Sequence, residues 1–425
     1  MRIAIVADDL TGANDCGGQL VRYGMNVSVQ INPVFSEETD YDAVVFNTVS
    51  RSLPADQASA IVKEISTYVN TQSFDIIYKK IDSTMRGNIG TELNAMYEVI
   101  RPDFVMIAPG YPKNGRQIIE RIHHLNGQKL HHTEVSRDPK TPVLKSDVVD
   151  LIAEQTGHRV GHLSKADLDQ GEAYISQKLH AFKEQGLTYI VSDSVIEQDL
   201  EMLVKAITAL PYKIVWVGSA GMMNHLPKAY QVQEKHMAKP IQLTAQPVLL
   251  VIGSVSKMGR AQLQHLMDSG RAHRVEVRSE KVLTEGHERQ QEMERVHREA
   301  SIGLSNGKNV VIVASDNMKE TRETGAQLGM TPIQISDAIS TSLGILTKKL
   351  VEELEIKKLF LTGGDTAYQV LEHLDIQEIE LVEELEPGVL LGQSIANQMY
   401  VVTKAGNFGS DKTLENVIVK LQGGV

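Results

Sequence analysis

The chain has one cysteine, Cys16, and one tryptophan in 425 residues, and its aromatic residues amount to 5%. A lone thiol rules out an internal disulfide and a cysteine metal cage, and it fits a reducing compartment, so a cytoplasmic location is expected. Positive charge is also in deficit. Lys and Arg number 43 against 54 Asp and Glu, a net charge of −11. That balance disfavours nonspecific binding to nucleic acid or to an anionic membrane, although a local basic pocket can coexist with it. No uninterrupted apolar run approaches membrane length. Met1-Arg2 leads straight into the apolar run Ile3–Ala7, so no secretory signal is expected ahead of the fold.

Several nucleotide and phosphate motifs are missing as well. Gly406 to Thr413 comes near Gly-x-x-x-x-Gly-Lys-Thr, but Asp411 stands where the second glycine belongs, and an acid there opposes a phosphate. The pattern Gly-x-Gly-x-x-Gly follows no strand, which counts against a nicotinamide enzyme. A haloacid-dehalogenase phosphatase needs Asp-x-Asp after its first strand; here the order is Asp8-Asp9-Leu10-Thr11.

What is present is a globular balance of 42% hydrophobic and 23% charged residues, in a chain long enough for two cores. Short apolar runs alternate with helical patterns, which predicts an α/β fold of two domains, each a mainly parallel sheet flanked by helices. Periodicity fades between Tyr230 and Pro247, so we expect domains at 1–230 and 248–425 joined by a linker at 231–247.

In the first domain the densest stretch is Lys79-Lys80-Ile81-Asp82-Ser83-Thr84-Met85-Arg86-Gly87, between a strand ending at Tyr78 and a helix from Thr91. Ligands of open α/β sheets bind outside the carboxyl ends of the strands. Cations and hydroxyls gathered there suit a small, anionic, hydroxyl-bearing ligand. The first strand runs into Asp8-Asp9-Leu10-Thr11-Gly12, read as a loop through Gly18 with a helix from Gln19. Paired carboxylates there serve as a general base, a magnesium ligand or a helix cap. Arg51 follows another strand and is a second anion clamp, and Lys113 and Arg116 would wall the same pocket. His123, His124, His131 and His132 straddle the hairpin signal Asn126-Gly127. Adjacent histidines on a short hairpin point to opposite faces and no cysteine completes a set, so they read as solvated or substrate-lining rather than as zinc ligands. The small-residue loop Gly218-Ser219-Ala220-Gly221 fits either backbone approach to a ligand or tight helix packing.

The second domain carries two strand-to-helix loops rich in glycine. These are Thr362-Gly363-Gly364-Asp365-Thr366, with a helix from Tyr368, and Lys404-Ala405-Gly406-Asn407-Phe408-Gly409, with a helix from about Lys412. Glycine lets backbone amides turn towards an anion at a helix N-terminus. Lys404 adds a full charge, Asp365 is a candidate magnesium ligand between phosphate oxygens, and Gly253-Ser254 is a third small turn.

Taken together and in order, these loops resemble the four-carbon acid sugar kinases, over nearly the whole chain. The resemblance implies an N-terminal substrate domain, a C-terminal nucleotide domain, and ATP-dependent phosphorylation of threonate, erythronate or 3-oxo-tetronate. It implies substrate contacts from Asp9, Arg51 and the segment Lys79, Lys80, Ile81 and Asp82, and ATP contacts from Ser254, Gly363, Gly364, Asp365, Thr366 and Gly406, with Lys404 and Gly409 in the same loop. Arg51, Lys80 and Arg86 would hold the carboxylate and hydroxyls, Asp9 or Asp82 would be the base, and Mg2+ would accompany ATP. Homodimer formation is left open. Met85 stands in place of a usual leucine, Ala405 in place of Ser or Thr, and Arg121 in place of an expected glycine in the pocket wall. The form Gly-Ser-Val-Ser at 253–256 leans towards threonate as substrate. A non-catalytic sugar-acid sensor is the rival of another class.

Overall fold

The computed structural model describes all residues except 34, 36–39, 139, 235–245, 254, 255, 407, 424 and 425. The expected linker therefore falls largely outside the described residues, as does Ser254. The chain forms two compact units, Met1–His236 and Met237–Val425.

In the first unit, β1 (Ile3–Ala7), β2 (Val27–Gln30), β3 (Ala43–Asn47), β4 (Ile76–Lys80), β5 (Phe104–Ala108), β9 (Val160–Leu163), β10 (Tyr189–Ser192) and β11 (Ile214–Gly218) pair in parallel, in the order β2-β3-β1-β4-β11-β5-β10-β9. Every residue of β1, β3 and β5 is buried, the pattern of strands covered on both faces. Register sets three carboxyl ends level, because Ala7 pairs with both Asn47 and Lys80. The chain visits β2 and β3 on one side of β1 and then crosses to β4 on the other. That reversal is the topological switch point at which a sheet of this kind opens a crevice.

Between β5 and β9 lies a separate three-stranded antiparallel ribbon, β6 (Arg116–Ile119), β7 (Ile122–Leu125) and β8 (Gln128–Lys129). Asn126 and Gly127 have φ of 51° and 80°, the two positive values that the hairpin signal requires. The other turn uses Glu120 and Arg121 at φ 47° and 73°. This is why glycine is expected at 121: the backbone there is left-handed. Arg121 tolerates it while its side chain reaches Asp147 and Asp150, at 2.8 and 2.5 Å. The arginine ties the ribbon to the helix Val148–Thr156, which Asp147 caps.

The second unit has β12 (Leu249–Ile252), β13 (Ala272–Val277), β14 (Asn309–Ala314), β15 (Lys358–Thr362), β16 (Glu378–Glu386), β17 (Val389–Ser394) and β18 (Met399–Lys404), ordered β13-β14-β12-β15-β18-β17-β16. The first five are parallel; β17 runs antiparallel to both β18 and β16. Again three ends are level, since Thr362 pairs with Ile252 and with Lys404.

Two helices begin earlier than their sequence patterns indicate. Leu10–Val21 is helical from its first turn, because the Asp9 carboxylate caps the Gly12 amide at 2.8 Å and the small residues at 12, 13 and 16–18 are buried. Gly364–His373 likewise starts at Gly364, so Asp365 and Thr366 lie in its first turn rather than in a loop. The loop at 218–221 turns out to serve packing. A Cβ on Gly218 would stand 2.7 Å from the Ala108 carbonyl, and one on Gly221 2.6 Å from that of Gly110.

The four histidines do not share one role. Among the described residues no group of three His, Cys, Asp or Glu is placed to hold a metal. His124 and His131 bond to Ile122 and Ser146, whereas His123 is neither solvated nor exposed. It is fully buried, neither ring nitrogen has a partner among the described residues, and burial holds its pKa down at about 4. A histidine with a folded pKa below its unfolded value supports the fold above pH 6.5 and withdraws that support as pH falls through 4. His123→Leu should therefore flatten the loss of stability between pH 6.5 and 4, by up to ~3 kcal/mol, in urea titrations at several pH values. An unchanged pH slope would show that this ring titrates normally.

Candidate functional site

The level ends of β1, β3 and β4 bring Asp8, Asp9, Arg51 and the Lys79 to Arg86 segment together in the first unit. Arg51 is the centre. Its Nε and Nη2 grip the Asp8 carboxylate at 2.9 and 2.8 Å, and its Nη1 meets Asp9 at 2.6 Å. Burial pushes the Asp8 carboxyl up, yet Arg51, with Lys79 and Lys80, overcomes this and leaves it below the ordinary range. The same pattern recurs at Asp82. Burial opposes its charge, but Arg51 and Arg86, with hydrogen bonds from Arg86 and Thr84, hold it far below the usual carboxylate value. Arg86 Nε lies 2.7 Å and Nη2 3.2 Å from Asp82, and Nη1 reaches Asp138 at 3.1 Å.

The cationic cluster is thus compensated by carboxylates. Binding capacity remains because each guanidinium has five N–H donors and three are used in each case. A cavity of about 440 Å³ adjoins Arg51, bounded among others by Leu53, Met85, Asn88 and Val143, with ample volume for a four-carbon acid.

The two lysines part company. They are the last residues of β4 rather than loop residues, so their side chains leave opposite faces of the sheet. Lys79 is fully buried and its Nζ pairs with Glu92 at 2.6 Å, while Ser50 Oγ donates to the other Glu92 oxygen at 2.6 Å. Lys80 goes the other way. Its Nζ donates to the Ile81 carbonyl and, with Asp9 Oδ1, crowds the space that a Cβ on Gly12 would occupy. Ile81 is buried, its N–H bonded to Gly218 and its carbonyl to Lys80. The expected wall residues turn aside: Arg116 Nη1 bonds the Asn114 carbonyl, and Lys113 is exposed.

Glu92 and the contact of Ser50 with it are not signalled by the loop motifs, and Asp8 is not distinguished there from Asp9. A signal for Glu92 existed, since it shares a helix face with Ile89 and Met96, where an acid is out of place.

In the second unit the loops after β12, β15 and β18 meet. A Cβ on Gly253 would fall 1.8 Å from Thr366 Oγ1, so Thr366 packs the first two loops together, and it also lies 3.3 Å from Ser340 Oγ. Gly363 has φ 96° and precedes the helix whose first turn carries the exposed Asp365. At Gly406 a Cβ would stand in ordinary contact with Ser256, at 3.8 Å, with no closer neighbour among the described residues. Gly409 has φ 85°. Lys404 is buried and points into its own loop, and burial, opposed by Glu386, brings its pKa down to about 8. Glycine turns ahead of a helix N-terminus, and one exposed carboxylate beside them, fit a triphosphate and a phosphate-bound Mg2+.

Cation-held carboxylates at the strand ends of one unit, and glycine turns at those of the other, are features that fit a phosphotransferase. Comparison with known proteins agrees. Residues 3–226 match a sugar-binding N-terminal domain family and residues 249–414 a nucleotide-binding C-terminal domain family. A D-threonate kinase of Salmonella typhimurium is 33% identical over 97% of this chain and 97% of its own length. A 3-oxo-tetronate kinase of Brucella melitensis is 28% identical, covering 97% of this chain and 94% of its own, and a D-erythronate kinase of Heliobacterium modesticaldum 27%, covering 96% and 94%. The chain belongs to the four-carbon acid sugar kinases. Solved structures from Salmonella typhimurium, described as a tRNA synthase, and from Haemophilus influenzae share the fold. Their TM-scores are 0.83 and 0.78, each at 23% identity; the first covers 98% of both chains, the second 98% of this chain and all of its own. Among the described residues no helix is long and apolar enough to cross a membrane.

The Lys79–Glu92 pair gives a direct test of this framework. Lys79→Met strands a carboxylate in the core and should lower unfolding free energy by about 3–5 kcal/mol in urea titrations. Lys79→Met combined with Glu92→Met should recover a large part of that loss; a double variant as unstable as the single would mean the pair is not what the core depends on.

Proposed function

We propose that this kinase phosphorylates a terminal hydroxyl of a four-carbon sugar acid with ATP, D-threonate being the substrate and 4-phospho-D-threonate the product. The observation that carries the reading is the convergence, at the level ends of β1, β3 and β4, of Arg51, Arg86 and Lys80 with the half-open carboxylate of Asp9. The relative named for D-threonate, at 33% identity, supports the choice of acid.

In this reading the first unit binds the sugar acid and the second the nucleotide. The unused N–H groups of Arg51 and Arg86, with Lys80, take the carboxylate and neighbouring hydroxyls in charge-assisted bonds. Asp9 receives the proton of the attacking hydroxyl. Four carboxylates meet Arg51 and Arg86, and their accessibility distinguishes them: Asp9 is 25% exposed, against 3% for Asp8, 11% for Asp82 and 19% for Asp138. Asp82, engaged by Thr84 and Arg86, orients the arginine instead. ATP, seated at Gly363, Gly364 and Gly406, supplies the phosphoryl group, and Asp365 would hold Mg2+, which would neutralise charge on the phosphates. Ser254 belongs to the same proposed nucleotide contact set. Lys79 supports the site from the core through Glu92 and Ser50. Positioning and electrostatics account for most of the acceleration in transfers of this kind.

Coupled ADP release over D-threonate, L-threonate, D-erythronate and 3-oxo-tetronate tests the reading. D-threonate should give the highest kcat/KM; a preference for another of the four would reassign the substrate within the family. Asp9→Asn should lower kcat by about 100-fold or more while ATP affinity by calorimetry is unchanged. Full activity in Asp9→Asn would remove it from the reaction.

A further inference from the structure

The Lys404 side chain does something other than what a lysine beside a phosphate loop is usually taken to do. It is 4% exposed, and its Nζ donates to the carbonyls of Ala405, Gly406 and Phe408 at 3.0, 3.0 and 3.1 Å. An ammonium has three donors, and all three are spent inside the loop that follows it. Other side chains of the unit join from the same side. Ser256 Oγ donates to the Gly406 carbonyl at 2.7 Å, and Gln262 Nε2 to those of Phe408 and Ser410 at 3.0 and 2.8 Å.

We propose that Lys404 is a positioning residue: it folds the turn after β18 from within, so that the backbone rather than the lysine receives the phosphates. The proposal rests on the nucleotide reading of the second unit and deepens it. Across a trans peptide the C=O and the following N–H point in opposite directions. With the Ala405 and Phe408 carbonyls drawn inward, the N–H groups of Gly406 and Gly409 turn outward, and neither donates to any group among the described residues. These are the two glycines of the turn: a Cβ on Gly406 would only touch Ser256, at 3.8 Å, among the described residues, whereas one on Gly409 would stand 2.3 Å from Thr413 Oγ1. Outward amides over a buried cation form an anion seat in which the charge attracts and the backbone makes the bonds.

The test compares wild type, Lys404→Met and Lys404→Arg by hydrogen exchange without nucleotide and by steady-state kinetics. In Lys404→Met, exchange of the peptide spanning 404–413 should rise about tenfold before any nucleotide is added, while β12, β14 and β15 keep their protection. The KM for ATP should rise about tenfold with the KM for the sugar acid unchanged. Lys404→Arg should not rescue either property, because a planar guanidinium does not fit a three-carbonyl cage. A direct phosphate ligand would behave differently: nucleotide-free exchange would stay at the wild-type rate, and arginine, itself a good phosphate binder, would restore the KM for ATP. Either result overturns the proposal. Should Lys404→Met lose the whole unit, Gln262→Leu, which removes another inward donor, must loosen the same peptide and raise the KM for ATP; no change there also overturns it. Failure of the nucleotide reading itself looks different again, since ATP would then leave the 404–413 peptide of the wild type unprotected while the nucleotide-free comparison of variants stands.

Discussion

The salt bridge from Arg51 to Asp8 and Asp9 is the constraint on which the first unit's site depends. Two adjacent carboxylates at the end of a buried strand repel each other and face a desolvation penalty, and one guanidinium from the end of the neighbouring strand resolves both problems. The bidentate grip falls on Asp8, which is buried beneath it. Asp9, bonded through one oxygen to Arg51 and through the other to the helix amide of Gly12, stays partly open. From that single asymmetry follow the orientation of Arg51, the position of its two spare N–H groups, and the greater exposure of Asp9 on which its proposed role rests.

The two units solve the problem of anion binding in different materials. The first uses side chains backed by other side chains: Arg86 is aimed by Asp82 and Asp138, and the segment carrying Arg51 is held by Ser50 through Glu92 and Lys79. Such a site offers a geometric fit to carboxylate and hydroxyls and discriminates among small acids. The second uses backbone, in glycine turns of which the one after β18 has its carbonyls held by Lys404, Ser256 and Gln262. A seat of that kind suits a phosphate chain, which presents oxygens in every direction.

Much of this was legible in the sequence, because parallel strands buried on both faces write themselves as short apolar runs. β1, β2, β3, β5 and β14 fall where those runs lie, and the charged or glycine-rich residues after them mark the ends that carry the site. What stayed hidden has identifiable physical causes. Lys79 reads as a loop cation that meets the substrate, and only the folded chain brings Glu92 of the helix Ile89–Ile100 to bury it with. The helix after β1 contains three glycines, which propensity counts as loop, while tertiary packing selects them for closeness. β16, Glu-Ile-Glu-Leu-Val-Glu-Glu-Leu-Glu, has five acids in nine residues, and it is the pairing with β17 that makes it a strand. The glycine expected at 121 shows the converse: the departure was visible in the sequence, and its left-handed backbone was the reason for it.

The account's central claim is that the acid and the nucleotide are held by different units through different chemistry. A crystal structure with D-threonate and a non-hydrolysable ATP analogue tests it most directly. The account predicts the carboxylate of the acid against Arg51 and Arg86, with Asp9 beside a terminal hydroxyl, and the triphosphate on the turns at Gly363 and Gly406. Density for the triphosphate against Arg51 and Arg86, with both glycine turns empty, would contradict it.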